Sequence, residues 1–250
     1  MTLNLLVYYN AETAEAATGG IDELGNHRFL QRYADFSRGW THIAATKDRL
    51  FYYNAATTEA ATGQIDAAGH HRFLQRLVVD RTPAWTHIAA TEDHLLFYDT
   101  TTGEAATAAI DDSGNLTVLQ RYDDFAPGWT NVAATQNRLL YYNAATTALA
   151  TAEIDAAGGH RFVLVLPPES TRFWTTLISA QSTFLFYNVD SGGGATAQID
   201  AAGNYVPLQA FPDLSPGWAQ IAGTQRHVLF YNPGASFAVT GEFLDDGMYR

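Results

Sequence analysis

Five tryptophans, Trp40, Trp85, Trp129, Trp174 and Trp218, each lead a phrase with polar groups close behind the indole: Gly-Trp-Thr-His-Ile at 39–43, Ala-Trp-Thr-His-Ile at 84–88, Gly-Trp-Thr-Asn-Val at 128–132, Phe-Trp-Thr-Thr-Leu at 173–177 and Gly-Trp-Ala-Gln-Ile at 217–221. An indole face beside a hydroxyl and an imidazole or amide suits a sugar, whose apolar ring face stacks while the planar polar groups bond its hydroxyls. The candidate ligand-binding set is therefore Trp40, His42, Trp85, His87, Trp129, Asn131, Trp218 and Gln220. Equally, a large ring repeated once per unit can fill the gap between sheets as plain core. The fourth copy, with Thr176 after its Trp-Thr and Val163-Leu164-Val165 where others carry Leu-Gln-Arg, is expected to bind least.

Other reactive residue types are better explained by turns. Asp22, Asp66, Asp111, Asp155 and Asp200 each precede a Gly three residues on, the arrangement in which a carboxylate accepts backbone N–H bonds and fixes a hairpin. The Asn or Asp after each Tyr (Asn10, Asn54, Asp99, Asn143, Asn188, Asn232) reads the same way. The eight histidines show no metal-ligand spacing, Ser191-Gly192-Gly193-Gly194 lacks a phosphate-binding Lys, and no nucleophile-elbow motif is present. No catalytic residue, metal ligand or cofactor is expected, and the chain reads as a non-enzyme.

The elements that must position these residues follow from the spacing. The tryptophans stand 45, 44, 45 and 44 residues apart, a tandem repeat. Each unit holds four strand-like segments, such as Thr41–Thr46, Leu50–Tyr53, Ala60–Asp66 and Arg72–Arg76, separated by Gly and Asx turns rather than running at helical period. Four short antiparallel strands per unit make a blade, so the fold predicted is an all-β, five-bladed β-propeller occupying 1–250 as one domain. In this count the fourth strand from the N-terminal side closes the last sheet. Residues 3–22 are then a redundant hairpin that packs on the outside, frays, or is exchanged between subunits of a homo-oligomer. A six-bladed arrangement with two incomplete sheets is the alternative.

Composition narrows partners. The net charge of −12 disfavours nucleic acid and anionic membrane surfaces, and the absence of cysteine excludes disulfides and thiolate chemistry. No leader and no apolar stretch of spanning length is read, so no membrane insertion is expected, and a soluble protein, cytoplasmic or released without a signal peptide, is.

The residues Gly39-Trp40, Leu50-Phe51-Tyr52, Gly128-Trp129, Leu139-Leu140-Tyr141 and Gly217-Trp218 resemble those of the tachylectin and tectonin-like propeller lectins over nearly the whole chain. That resemblance implies a five-bladed ring with an N-acetylhexosamine site per blade or blade interface. The Ala-Thr-rich third strand and the Gln-Arg of the fourth depart from the family, so individual sugar contacts do not carry over. A multivalent, carbohydrate-binding lectin acting on glycans or glycoconjugates is the leading expectation, since weak repeated sites gain avidity on a glycan surface. A non-catalytic protein–protein interaction scaffold is the second, and a propeller glycosidase with one axial acid/base set the third.

Overall fold

The computed structural model describes residues 4–79, 84–168, 173–180, 182–244, 246 and 248–249, so residue 3 of the expected spare hairpin lies outside them. The N-terminal sheet comprises β1 (Asn4–Tyr9), β2 (Ala16–Ile21) and β3 (His27–Tyr33). The second comprises β4 (His42–Ala45), β5 (Leu50–Tyr53), β6 (Glu59–Ile65) and β7 (His71–Val78), and the third β8 (His87–Ala90), β9 (Leu95–Tyr98), β10 (Ala105–Ile110) and β11 (Leu116–Tyr122). The fourth comprises β12 (Asn131–Thr135), β13 (Arg138–Tyr142), β14 (Leu149–Ile154) and β15 (His160–Leu166), and the fifth β16 (Thr176–Ala180), β17 (Thr183–Tyr187), β18 (Gly194–Ile199) and β19 (Tyr205–Phe211). The last sheet has three strands, β20 (Gln220–Gly223), β21 (His227–Asn232) and β22 (Phe237–Glu242).

This is an all-β β-propeller built on four-stranded antiparallel blades, but with six blade sheets rather than the five expected. The physical reason lies in β3. It pairs with β2 from Ala16↔Tyr33 to Ile21↔His27, and β20, β21 and β22 form a sheet without it. Pairing across a short hairpin turn costs far less loop-closure entropy than pairing with strands at the far end of the chain. Residues 4–21 are consequently the body of a blade and not a spare hairpin.

Contacts divide the chain into two compact units. One is Met1–Asp22, His27–Gly128 and Asp155–Gly159; the other is Glu23–Asn26, Trp129–Ile154 and His160–Arg250. Within each, the second strand of a complete blade is buried along its length, as Leu50–Tyr53 and Thr183–Tyr187 show. A strand covered on both faces must be apolar at successive positions, which is why these segments read Leu-Phe-Tyr-Tyr rather than alternating. Phe51, Tyr53, Trp85, Leu95 and Phe97 form one core cluster in the first unit, and Leu140, Tyr142, Leu177, Phe184 and Phe186 one in the second.

The third strand explains the repeated Thr and Gly. Thr18, Thr62 and Thr107 donate their hydroxyls to the carbonyls of Gly69, Gly114 and Gly158 in the next hairpin, at 2.5, 2.7 and 2.6 Å. In the second unit Thr151 bonds Gly203 at 2.6 Å and Thr240 bonds Gly25 at 2.8 Å. Just past each Thr of β2, β6, β10 and β14 the register slips by one residue, leaving Leu30, Leu74, Leu119 and Val163 bulged. Those bulged side chains lie against Gly69, Gly114, Gly158 and Gly203, where the positive φ and the lack of space both demand glycine. Replacing Thr62 by Val keeps the shape, removes the donor and strands a buried carbonyl, so we expect a loss of about 1–3 kcal/mol in chemical denaturation. Thr196 Oγ1 has no partner among the described residues.

Candidate functional site

The tryptophans are positioned by backbone and not by ligand-facing geometry. In the first unit the N–H of Trp40 donates to Tyr9 Oη and that of Trp85 to Tyr53 Oη, both at 3.3 Å; in the second, Trp174 and Trp218 do the same with Tyr142 and Tyr187 at 3.2 Å. Trp40, Trp85 and Trp129 are 4%, 3% and 6% exposed, their rings packed at 5.7 Å from Tyr52, Phe97 and Tyr141 respectively. No indole face remains to stack on a sugar at these three positions. Trp218 is half-buried, its Nε1 donating to the Leu214 carbonyl at 2.7 Å, and the supposedly deficient Trp174 is half-buried too.

Their polar neighbours serve the strand starts. His42 Nδ1 meets Thr41 Oγ1 at 2.8 Å and its Nε2 meets the Thr86 carbonyl at 3.0 Å, while Thr86 Oγ1 lies 3.0 Å from His87 Nδ1. Burial pushes the His42 imidazolium down, opposed by that Thr86 carbonyl and reinforced by His87. Asn131 Nδ2 donates to Thr130 Oγ1 at 3.1 Å, and Gln220 opens β20 exposed. The repeated Asp and Asn residues hold turns as the sequence indicates: Asp66 Oδ1 accepts from the N–H groups of Ala68 and His70 at 2.9 Å each, and Asn54 Oδ1 accepts from Ala56 and Thr57.

A second histidine series stands at the start of the fourth strands. His71 Nε2 lies 2.9 Å from Tyr52 Oη and His160 Nε2 2.9 Å from Tyr141 Oη. Burial pushes both imidazoles down to about 4. Unfolded histidine titrates near 6.5, so between about 6.5 and 4 the unfolded chain binds more protons and stability falls as pH falls. Thermal scans should show a full-strength plateau above neutral pH and a progressive drop in Tm below it. His71→Phe, His160→Phe together should flatten the drop.

The most distinctive polar constellation lies in the second unit. Glu23, Leu24, Gly25, His227, Thr240, Gly241 and Glu242 line a cavity of about 310 Å³. β21 and β22 set its wall: His227 and Glu242 are direct cross-strand partners, and the Thr240 hydroxyl is committed to the Gly25 carbonyl. His227 is 2% exposed, its backbone pinned by reciprocal bonds with Thr224 at 3.0 Å. Arg226 Nε donates to Glu242 Oε1 at 2.7 Å, holding that carboxylate at the cavity edge. Glu23 and Leu24 are exposed.

Side-chain length at the head of the second strand varies from blade to blade. At the register of His227, other blades carry Arg49, His94, Arg138 and Thr183. Arg49 reaches the carbonyls of Asp111 and Asp112 at 3.3 Å, and Arg138 that of Ala201 at 2.9 Å, so each guanidinium spans to the neighbouring hairpin. The shorter His227 instead lines a hollow together with Glu23, Leu24 and Gly25. Sequence reasoning missed this site; the available signal was a His at the head of the last sheet's second strand, opposite a Glu on its third. Among the described residues no group of three or more His, Asp or Glu side chains could hold a metal ion, and no helix is long and apolar enough to cross a membrane.

No family model and no curated protein matches the sequence. Solved structures do match in fold. The chain is similar to the periplasmic gluconolactonase of Pseudomonas aeruginosa, with 15% identity over 99% of this chain and 81% of that one and a TM-score of 0.59. It is similar to a candidate 6-phosphogluconolactonase of Bacteroides fragilis, with 11% identity over 100% and 79% and a TM-score of 0.61. It is similar also to yeast RCC1 bound to Kap60, with 12% identity over 97% and 69% and a TM-score of 0.57. At these identities the likeness establishes the fold. It nevertheless overturns the lectin expectation and the expectation of no catalysis: structures sharing this architecture include gluconolactonases, and the buried rings of Trp40, Trp85 and Trp129 remove the sugar platforms on which the non-catalytic reading stood.

Proposed function

We propose that this chain is a hydrolase that opens a small, uncharged sugar lactone at the cavity lined by His227, Glu242 and Glu23. The observation that carries the reading is that buried His227 lines, together with Glu23 and Glu242, a hollow of about 310 Å³, in a fold shared with gluconolactonases. Water is the nucleophile. His227 takes its proton as oxygen attacks the lactone carbonyl carbon; the ring C–O bond then breaks, and His227 returns the proton to the departing ring oxygen. Glu242, clamped by Arg226, is a positioning residue for the imidazole. Glu23 accepts hydrogen bonds from substrate hydroxyls.

Two carboxylates at the cavity and a chain charge of −12 oppose a phosphorylated substrate. Rates above the spontaneous background for glucono-1,5-lactone and its 6-phosphate, followed with a pH indicator, test this choice. The neutral lactone should be favoured by about tenfold or more in kcat/KM, equivalent to about 1.4 kcal/mol. Preference for the phosphate would defeat the electrostatic argument.

A further inference from the structure

The outer strand of the fourth sheet, β15, departs from its counterparts at two consecutive positions. Opposite the buried Thr of the third strand the others carry a glutamine, Gln31, Gln75, Gln120 or Gln209, whereas on β15 Leu164 faces Thr151. One residue on, Arg32, Arg76 and Arg121 each lie opposite an alanine; β15 has Val165 there, opposite Ala150. Successive side chains of a strand point to opposite faces, so the exchange strips polar cover from both sides of β15. Val165 is 62% exposed, and Leu164 and Leu166 are half-buried.

Among the described residues β15 pairs with β14 alone, so these apolar residues stand on a sheet edge. Edges are normally blunted by a charge or a proline, because their free N–H and C=O groups template another strand. β3, β7 and β11 carry the arginines just named, and β19 carries Pro207, which has no N–H to donate. From Phe162 to Leu166 β15 has neither, and the preceding Arg161 is ion-paired with Glu153. The sequence of this run also selects its partner. Val163-Leu164-Val165 and Leu164-Val165-Leu166 each read the same in both directions. Antiparallel pairing with the same run of a second copy therefore sets valine or leucine against valine or leucine in either register, and apolar cross-strand pairs stabilise a ladder. A two-fold contact, in which one patch meets itself, requires this self-complementarity.

We propose that the edge of β15 is a homodimerisation strand, pairing antiparallel with β15 of a second copy about a two-fold axis at Val165. Main-chain hydrogen bonds and the Leu-Val-Leu contacts hold the copies together against the repulsion of two chains that each carry −12. Sedimentation equilibrium of the full chain from about 1 to about 100 µM should show a monomer–dimer equilibrium, shifted toward dimer as added salt screens that repulsion. Val165→Arg installs the residue type that β3, β7 and β11 carry at this register. It should therefore leave the Tm of the monomer unchanged while weakening dimerisation at least about tenfold. Because the chain has no cysteine, Val165→Cys supplies a second readout. Oxidation should link two copies through residues that face each other across the axis, whereas Val118→Cys, at an exposed position of β11, should not cross-link. A chain that stays monomeric throughout that range, a dimer that Val165→Arg leaves intact, or equal cross-linking at the two cysteines would each overturn the proposal.

Discussion

Replacing His227 with Gln should lower kcat/KM for neutral lactone hydrolysis by about a hundred- to ten-thousand-fold, the range a positioned general base supplies. Glutamine has similar polarity and reach but cannot take a proton from water, so the wall formed by β21 and β22 persists while the chemistry is lost. The effect should fall on kcat, because no substrate contact is removed in the ground state. Glu242→Gln should act differently. It weakens the hold of Arg226 and of the imidazole, giving a smaller loss together with a shifted pH–rate profile. A His227→Gln protein that unfolds cooperatively at the wild-type Tm yet retains full activity would move the site elsewhere.

Trp85→Ala should destabilise the protein by about 3–5 kcal/mol, the cost of emptying a large aromatic site in a packed core. The ring is 3% exposed and lies against Phe97 within the cluster that also holds Phe51, Tyr53 and Leu95. Trp174→Ala, at a half-buried site, should cost less. Urea titrations of the two variants give the comparison. Catalysis should be spared at a temperature where Trp85→Ala remains folded, because Trp85 belongs to the first unit and the cavity residues all belong to the second. Equal destabilisation by both substitutions would contradict the account of the tryptophans as graded core residues.

Much of the architecture was legible because it rests on local rules that the repeat states again and again. The alternation of Leu-Phe-Tyr runs with Asp-x-x-Gly and Asn-led turns gives strands and hairpins directly, and Asp66 and Asn54 bond the turn amides in the way their positions imply. Blade number was not legible. It turned on whether β3 would pair within its own hairpin or with the last sheet, a competition between two equally compatible partners that loop closure decides. The site was less legible still. The spacing of a Trp marks its place in the repeat but not whether its faces are covered. His227 and Glu242 become neighbours only once the β21–β22 register is known, and Glu23 lines the same hollow from the turn after β2. The variation among Arg49, His94, Arg138, Thr183 and His227 at one register position was visible in advance, and its meaning depended on knowing that the two arginines reach the neighbouring hairpin.

The most direct measurement is the initial rate of glucono-1,5-lactone hydrolysis by the wild-type chain against the spontaneous rate in the same buffer, as a function of lactone concentration. The account gives a saturable acceleration proportional to protein concentration and abolished by His227→Gln. A rate indistinguishable from buffer at every lactone concentration, from protein that is folded by circular dichroism, would contradict it.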